Sequence, residues 1–254
     1  MKYNFFTVLN SAYMIFGKIW LLSLLEEIPD DKIDNIIILD TGLKDEEISY
    51  FKTFEKVSIL QSDLNLADTS DALPRNSNWL QHVLRKTKFC KVALKLHNSP
   101  LIMVDSDCMF LGDVTEVLEQ DKDILVCNRS YKEDDNWIAS FFVVNNPDEG
   151  IRFLSSWISR MKKLMIEQPH RGWFESHSLN LLLNEIRQGE HGEFNLGDVY
   201  TADVACEEES LLSLENTKLV HFKGTGKKTD FSGRINRFRN SQHVIEKVNK
   251  YVKK

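Results

Sequence analysis

Two carboxylates stand one residue apart where an apolar run ends, in Pro100-Leu-Ile-Met-Val-Asp105-Ser106-Asp107. A buried strand that delivers Asp-x-Asp to the edge of a sheet offers hard oxygen ligands to a divalent cation and leaves positions for the oxygens of a nucleotide diphosphate. The pair alone is a weak signal, because Asp is common, and Asp121-Lys122-Asp123 is a second copy. That copy precedes its strand, at the end of a parallel sheet where ligands do not bind, and reads as a turn. Far downstream, Leu219-Val-His221-Phe-Lys-Gly224-Thr-Gly-Lys227 sets an imidazole, two glycines and a lysine in and after a short apolar strand. The histidine can complete a metal shell, the glycines let backbone approach phosphate, and the lysine can neutralise a departing diphosphate.

Asp-x-Asp after a buried strand has three readings: a plain turn and two enzyme classes. Phosphatases of the haloacid-dehalogenase type use the first Asp as nucleophile, carry the pair near the chain start, and place Thr or Val where this chain has Met109. Glycosyltransferases of the GT-A fold use the pair to hold a metal and a sugar nucleotide. With the distal histidine included, the chain resembles the GT-A glycosyltransferases, most closely the glycogenin-like and lipopolysaccharide-galactosyltransferase-like retaining family 8. His221-x-x-Gly224-x-x-Lys227 matches that family's C-terminal motif, and Leu111-Gly112-Asp113 after the acidic pair is also similar. Thr7-Val-Leu-Asn10-Ser-Ala-Tyr13 resembles the first strand and loop, where Thr and Tyr contact uridine. Thr87-Lys88-Phe89 resembles the segment whose lysine approaches the diphosphate or donor sugar.

The resemblance implies one GT-A domain over residues 1–254, with residues 1–130 as the nucleotide-sugar half and 131–254 as the acceptor half. It implies Asp105, Asp107 and His221 as ligands of Mn2+ or Mg2+. It implies donor contacts from Thr7, Asn10, Tyr13, Lys88, Ser106, Gly224 and Lys227, with Lys227 also stabilising the departing UDP. The implied reaction moves a hexose from UDP-glucose or UDP-galactose to a carbohydrate or other hydroxyl acceptor, with retention. Three segments depart from the family: Ile138-Ala139-Ser140 replaces Asn-Ser/Ala-Gly, Glu175-Ser176-His177 replaces Asp-Gln-Asp, and Lys228-Thr229 replaces Pro-Trp. Those departures keep a sugar-nucleotide-binding protein of low turnover as a rival reading.

Other residues carry two readings each. Glu175 begins a helical pattern, where an acidic residue favours the dipole, or it is a general base or sugar contact. His177 is a helix residue or lines the acceptor site. Asp40 ends a strand, as a nucleoside-contacting residue or as a turn former. Tyr13 stacks on uracil or packs over the first helix.

Alternating elements must position these groups. Ile36-Ile37-Ile38-Leu39, within a strand over Asp34–Asp40, is the continuous run of a strand covered on both faces. Phe5–Leu9, Lys56–Leu60, Leu101–Val104, Ile124–Cys127, Trp137–Asn145 and Leu219–Phe222 read as further strands. Helices are expected over Ser11–Glu27, Trp79–Lys95, around Ile151–Met165, Glu175–Ile186 and around Val244–Val252, while Ser62–Asn78 reads as a long polar loop. Strands alternating with helices imply an α/β fold with a mostly parallel sheet flanked by helices, and ligands at the carboxyl ends of its strands.

Composition agrees with a folded chain: 254 residues, 42% hydrophobic and 28% charged, with 15 Phe and 5 Trp, are enough for a sizeable core. The four cysteines, 90, 108, 127 and 206, form no CxxC and suit a reduced, cytoplasmic setting. Ile19–Leu25 is too short for a membrane helix, and no signal-peptide pattern precedes it. Residues 216–254 hold 11 Lys and Arg against 2 Asp and Glu, whereas residues 1–215 hold 21 against 36. A basic strip on an acidic body is a solvated helix end, a diphosphate site or a peripheral contact with an anionic membrane. Nucleic acid is not expected as a partner, since the strip carries no recognisable binding motif.

Overall fold

The computed structural model describes residues 1–62, 77–129, 136–168, 174–223 and 231–253. In chain order the larger elements are β1 (Tyr3–Leu9), α1 (Met14–Glu27), β2 (Ile33–Asp40), α2 (Asp45–Phe51), β3 (Val57–Gln61), α3 (Ser77–His97) and β4 (Leu101–Val104). They continue with β5 (Cys108–Phe110), β6 (Ile124–Asn128), β7 (Trp137–Val144), α4 (Pro147–Glu167), α5 (Phe174–Arg187) and β8 (Leu196–Tyr200). The chain closes with β9 (Leu219–His221), α6 (Phe231–Ile235) and α7 (Gln242–Val252).

Seven strands form one sheet in the order β3-β2-β1-β4-β7-β6-β8, in which only β7 runs against the rest. The expected α/β architecture, a mostly parallel sheet flanked by helices, is present. Strand periodicity explains the two-sided core. Ile37 and Leu39 of β2 enter a cluster with Leu84 and Leu94 of α3 and Trp157 of α4. Their neighbours Ile36 and Ile38 enter the opposite cluster with Trp20 and Leu24 of α1. A side-chain period of two therefore requires both residues of each pair to be apolar, which is why the run is continuous.

From β1 the chain moves outward through β2 to β3, then returns to place β4 on the other side of β1. The strand order reverses between β1 and β4, and sheets of this kind bind ligands beyond the carboxyl ends of the strands at such a point. A second, two-stranded sheet pairs β5 with β9, setting Cys108 opposite His221. The same C-terminal segment completes a third core cluster in which Phe222, Phe238, Val248 and Tyr251 pack on Phe16 and Ile19 of α1.

Five elements differ from the sequence expectation. The edge strand β8 buries only Val199, so it lacks the apolar run that marks an interior strand. Of α2, only Phe51 is buried. The pieces β5 and α6 are too short to show a period. Helix α1 begins at Met14 after a tight turn over Ser11–Tyr13. The expected loop falls mostly on residues 63–76, outside the described residues. Of the basic strip, Lys247 pairs with Glu27 and Lys250 with Glu26, fastening α7 to α1. All four cysteines are buried thiols. No helix among the described residues is long and apolar enough to cross a membrane.

Candidate active site

The acidic pair lies where β4 leaves the sheet, at the β1/β4 switch point. The Asp105 amide donates to Ser140 O of neighbouring β7 at 2.9 Å, and Asp105 O accepts from the Cys108 amide at 3.1 Å, so the pair sits in a tight turn between β4 and β5. Ser106 is buried in that turn. Because β5 pairs with β9, His221 is carried to the same place, and the Phe222 amide donates to Asp107 O at 2.8 Å. His221 Nε2 lies 3.3 Å from Asp107 Oδ1. Its Nδ1 lies 3.3 Å from Oε1 of the buried Glu207.

Glu207 is held in turn by Lys223 Nζ at 3.0 Å and Arg129 Nη2 at 3.2 Å. Burial opposes a charge on His221, but the carboxylates at its two nitrogens win and raise it to about 9. Burial likewise opposes the charge on Asp107, and His221 and then Arg234 outweigh it and hold that carboxyl below its ordinary value.

Asp105 turns the other way. Its Oδ1 accepts from Lys86 Nζ at 2.8 Å, while the same ammonium reaches Glu175 Oε1 at 2.7 Å and Ala139 O at 3.2 Å. Two hydrogen bonds and one ion pair hold an ammonium that is only 5% exposed. Burial alone would lower Lys86, but Asp105 and then Glu175 outweigh it and raise it. Burial drives Glu175 up to about 7, against the pull of Lys86 and with the push of Asp105. Glu175 occupies the first turn of α5, whose start is tied to β7: Asn180 Nδ2 donates to Trp137 O at 2.7 Å, and its Oδ1 accepts from the Trp137 amide.

The sequence-predicted residues divide into groups. Asp107 and His221 come together; among the described residues the one cluster of His, Cys and acidic ligand atoms within 4.8 Å of one another is Asp107, Cys108 and His221. Asp105 is adjacent but engaged by Lys86. Thr7 is fully buried within β1, and Asn10 follows that strand; Thr7 Oγ1 and Asn10 Oδ1 are buried without a hydrogen-bond partner. Tyr13 packs against Phe16 of α1, with ring centroids 5.9 Å apart, and accepts a hydrogen bond from Arg234. Burial and then the Asp107 charge push its hydroxyl up to about 12. Asp40 spends its Oδ1 on the amides of Gly42 and Leu43, at 2.8 and 2.7 Å, the work of a turn former. Lys88 is exposed on α3, two residues on from the buried Lys86. His177 lies half-buried on α5. Gly224 and Lys227 lie outside the described residues.

The sequence reading missed Lys86, Glu207, Arg129 and Arg234 as site residues. For Lys86 a signal existed: Val83, Lys86, Cys90 and Ala93 are spaced as one buried helical stripe, and a lysine in such a stripe requires carboxylate partners. Glu207 and Arg234 sit in segments without periodicity.

Asp107 Oδ1 and His221 Nε2, 3.3 Å apart, could both serve as ligands of a divalent ion, with Asp105 beside them. The chain is similar to two solved glycosyltransferases, a likeness of fold at low identity. One is the bifunctional glycosyltransferase WbbM in its apo form, at 14% identity and a TM-score of 0.58, over 98% of this chain and 51% of that one. The other is the glycosyltransferase GlyE of Streptococcus pneumoniae TIGR4, at 12% identity and a TM-score of 0.61, over 99% of this chain and 63% of that one. This chain thus spans about half the length of the first and less than two thirds of the second. No curated protein matches it. The acidic pair and Glu175 lie within residues 43–206, which match the family pattern of the nucleotide-diphospho-sugar transferases, and the chain belongs to that family.

Proposed function

We propose that the protein transfers a hexosyl group from a UDP-sugar, UDP-glucose or UDP-galactose, to a hydroxyl acceptor, with retention and with Mn2+ or Mg2+. The observation that carries this reading is the 3.3 Å approach of His221 Nε2 to Asp107 Oδ1 at the switch point, made by residues from opposite ends of the chain. Asp107 and His221 would hold the metal, with Asp105 completing the set. Such an ion, when bound, supplies Lewis-acid charge to the diphosphate. Glu207 at Nδ1 keeps the His221 ring turned so that Nε2 faces Asp107. Thr7, Asn10 and Tyr13, in and after β1, remain the proposed contacts to the nucleoside, and Lys227 the proposed contact to the departing UDP.

In the proposed step the bond from the sugar's anomeric carbon to the diphosphate oxygen breaks, and UDP leaves with the electron pair. The acceptor oxygen bonds to the same face of that carbon, and its proton passes to the departing diphosphate. Retention is supported by the ion pair of Glu175 with Lys86, which already occupies that carboxylate. The test is UDP release from a panel of UDP-sugars, with and without Mn2+, followed by NMR of the first-formed product. A β-linked product from an α-linked donor, together with loss of turnover in Glu175→Gln, would instead make Glu175 the base of an inverting enzyme. Phosphate release without UDP would return the phosphatase reading, and UDP-sugar binding without UDP release the low-turnover one.

A further inference from the structure

Arg234, on the short helix α6, is 5% exposed, and its guanidinium bridges two parts of the site. Nη1 donates to Asp107 Oδ2 at 2.7 Å, and Nη2 donates to Tyr13 Oη at 3.0 Å. The planar group also lies 5.2 Å from the Tyr13 ring centroid and 5.3 Å from that of Phe16, stacking distances that hold it in place. An Arg–carboxylate bond at this depth is among the stronger hydrogen bonds a protein makes. One buried cation is therefore already bound to the carboxylate on which the proposed metal depends.

The charge balance around it sharpens the point. Asp105 and Glu175 flank Lys86. Asp107 faces Arg234, and Glu207 faces Arg129 and Lys223. The four carboxylates named here thus face four lysine and arginine cations, and His221 lies between two of the carboxylates. A free divalent ion would add two positive charges beside cations that already face those carboxylates, which is costly. A divalent ion chelated by the diphosphate of a sugar nucleotide, which carries two negative charges, adds none.

We propose that Arg234 is an internal counter-cation that closes the site to free divalent metal, so that metal and sugar nucleotide enter together as one chelate. This rests on the metal-dependent donor reading above and adds an order of assembly to it. The same guanidinium ties Asp107 to Tyr13, so loading one end of the site loosens the hold on the other.

The experiment is Mn2+ binding by the full chain, read from the EPR signal of free Mn2+, with and without UDP. Wild-type protein is expected to bind Mn2+ weakly alone and at least about tenfold more tightly with saturating UDP. Arg234→Gln removes the competing charge and should tighten binding of Mn2+ alone about tenfold to hundredfold, the worth of a hydrogen bond to a charged group. Arg234→Lys, which keeps the charge, should stay within about threefold of wild type; Arg237→Gln, whose parent side chain donates to Lys223 O, should match wild type. Unchanged or weaker binding of Mn2+ alone in a folded Arg234→Gln protein overturns the inference while leaving the donor reading intact. Should that variant not fold, equal Mn2+ affinity of the wild type with and without UDP overturns it as well. If no protein binds Mn2+ even with UDP, the donor-metal reading itself fails, and this inference with it.

Discussion

Replacing Lys86 by Met keeps the length of the side chain and removes the one ammonium that separates Asp105 from Glu175. Against burial, Asp105 and Glu175 raise the pKa of that ammonium, so its charge is constant over any working pH and the pH dependence of the damage comes from the carboxyls it leaves behind. In the wild type, Glu175 already stands at about 7 against an ordinary 4.5. A carboxyl raised on folding contributes stability that is full below its unfolded value and lost as pH rises through its folded one. Without Lys86 the pull that lowers Glu175 is gone, so its carboxyl rises further and that loss deepens at alkaline pH. Near pH 8, stranding buried carboxylates costs about 3 to 5 kcal/mol, and the lower end applies because the Asp105 side chain is 29% exposed. Near pH 5, Glu175 is protonated in the variant, and what remains is the loss of hydrogen bonds, about 1 kcal/mol. Urea unfolding of both proteins at the two pH values measures the difference. A loss that is equal at pH 5 and pH 8, or smaller at pH 8, would refute the buried bridge as the structural role of Lys86.

Three further outcomes follow from the packing and the charge network. Glu207→Gln should weaken UDP-dependent Mn2+ binding about tenfold to hundredfold by releasing the His221 ring, and calorimetry showing unchanged affinity would remove Glu207 from that role. In Gly150→Ala the new Cβ would clash with Val144 Cγ1 and meet Leu94 Cδ1 at 3.1 Å, forcing α4 off the sheet at a cost of about 1 to 3 kcal/mol. That corresponds to a melting point lower by roughly 2 to 4 °C per kcal/mol in a chain of this size, and an unchanged one would contradict the close approach. A chain ending at Glu215 loses Phe222, Phe238, Val244, Val248 and Tyr251 from the third core cluster. At about 1.5 to 3 kcal/mol each this approaches or exceeds the whole stability of a typical domain, so no cooperative urea transition should be seen. A sharp transition would mean that the C-terminal segment is dispensable to the fold.

The core strands and main helices could be read from the chain because burial imposes a local period. Ile36–Leu39 had to be continuous once both faces of β2 were covered, and the stripe through Phe153, Leu154, Trp157 and Met161 had to recur every three or four residues. The exit of Asp105 from a buried strand follows from the same pattern, and with the strand alternation it points to the carboxyl edge. Where the pattern is weak, legibility ends, as at β8, which buries one residue, and at α6, which is too short to repeat. Lys86 against Lys88 was open to the same logic, since only the former lies on the buried stripe of α3.

Which charged groups meet is a different matter. The encounter of His221 with Asp107 required β5 to pair with β9, and that of Lys86 with Glu175 required α3 and the start of α5 to reach the same strand end. Glu207 and Arg234 carry no period and no motif, yet they set the tilt of the histidine and the occupancy of Asp107. A local period states which face of an element is buried. The order in which strands assemble decides what lies across from it, and it is this order that set the charge pairs of the site.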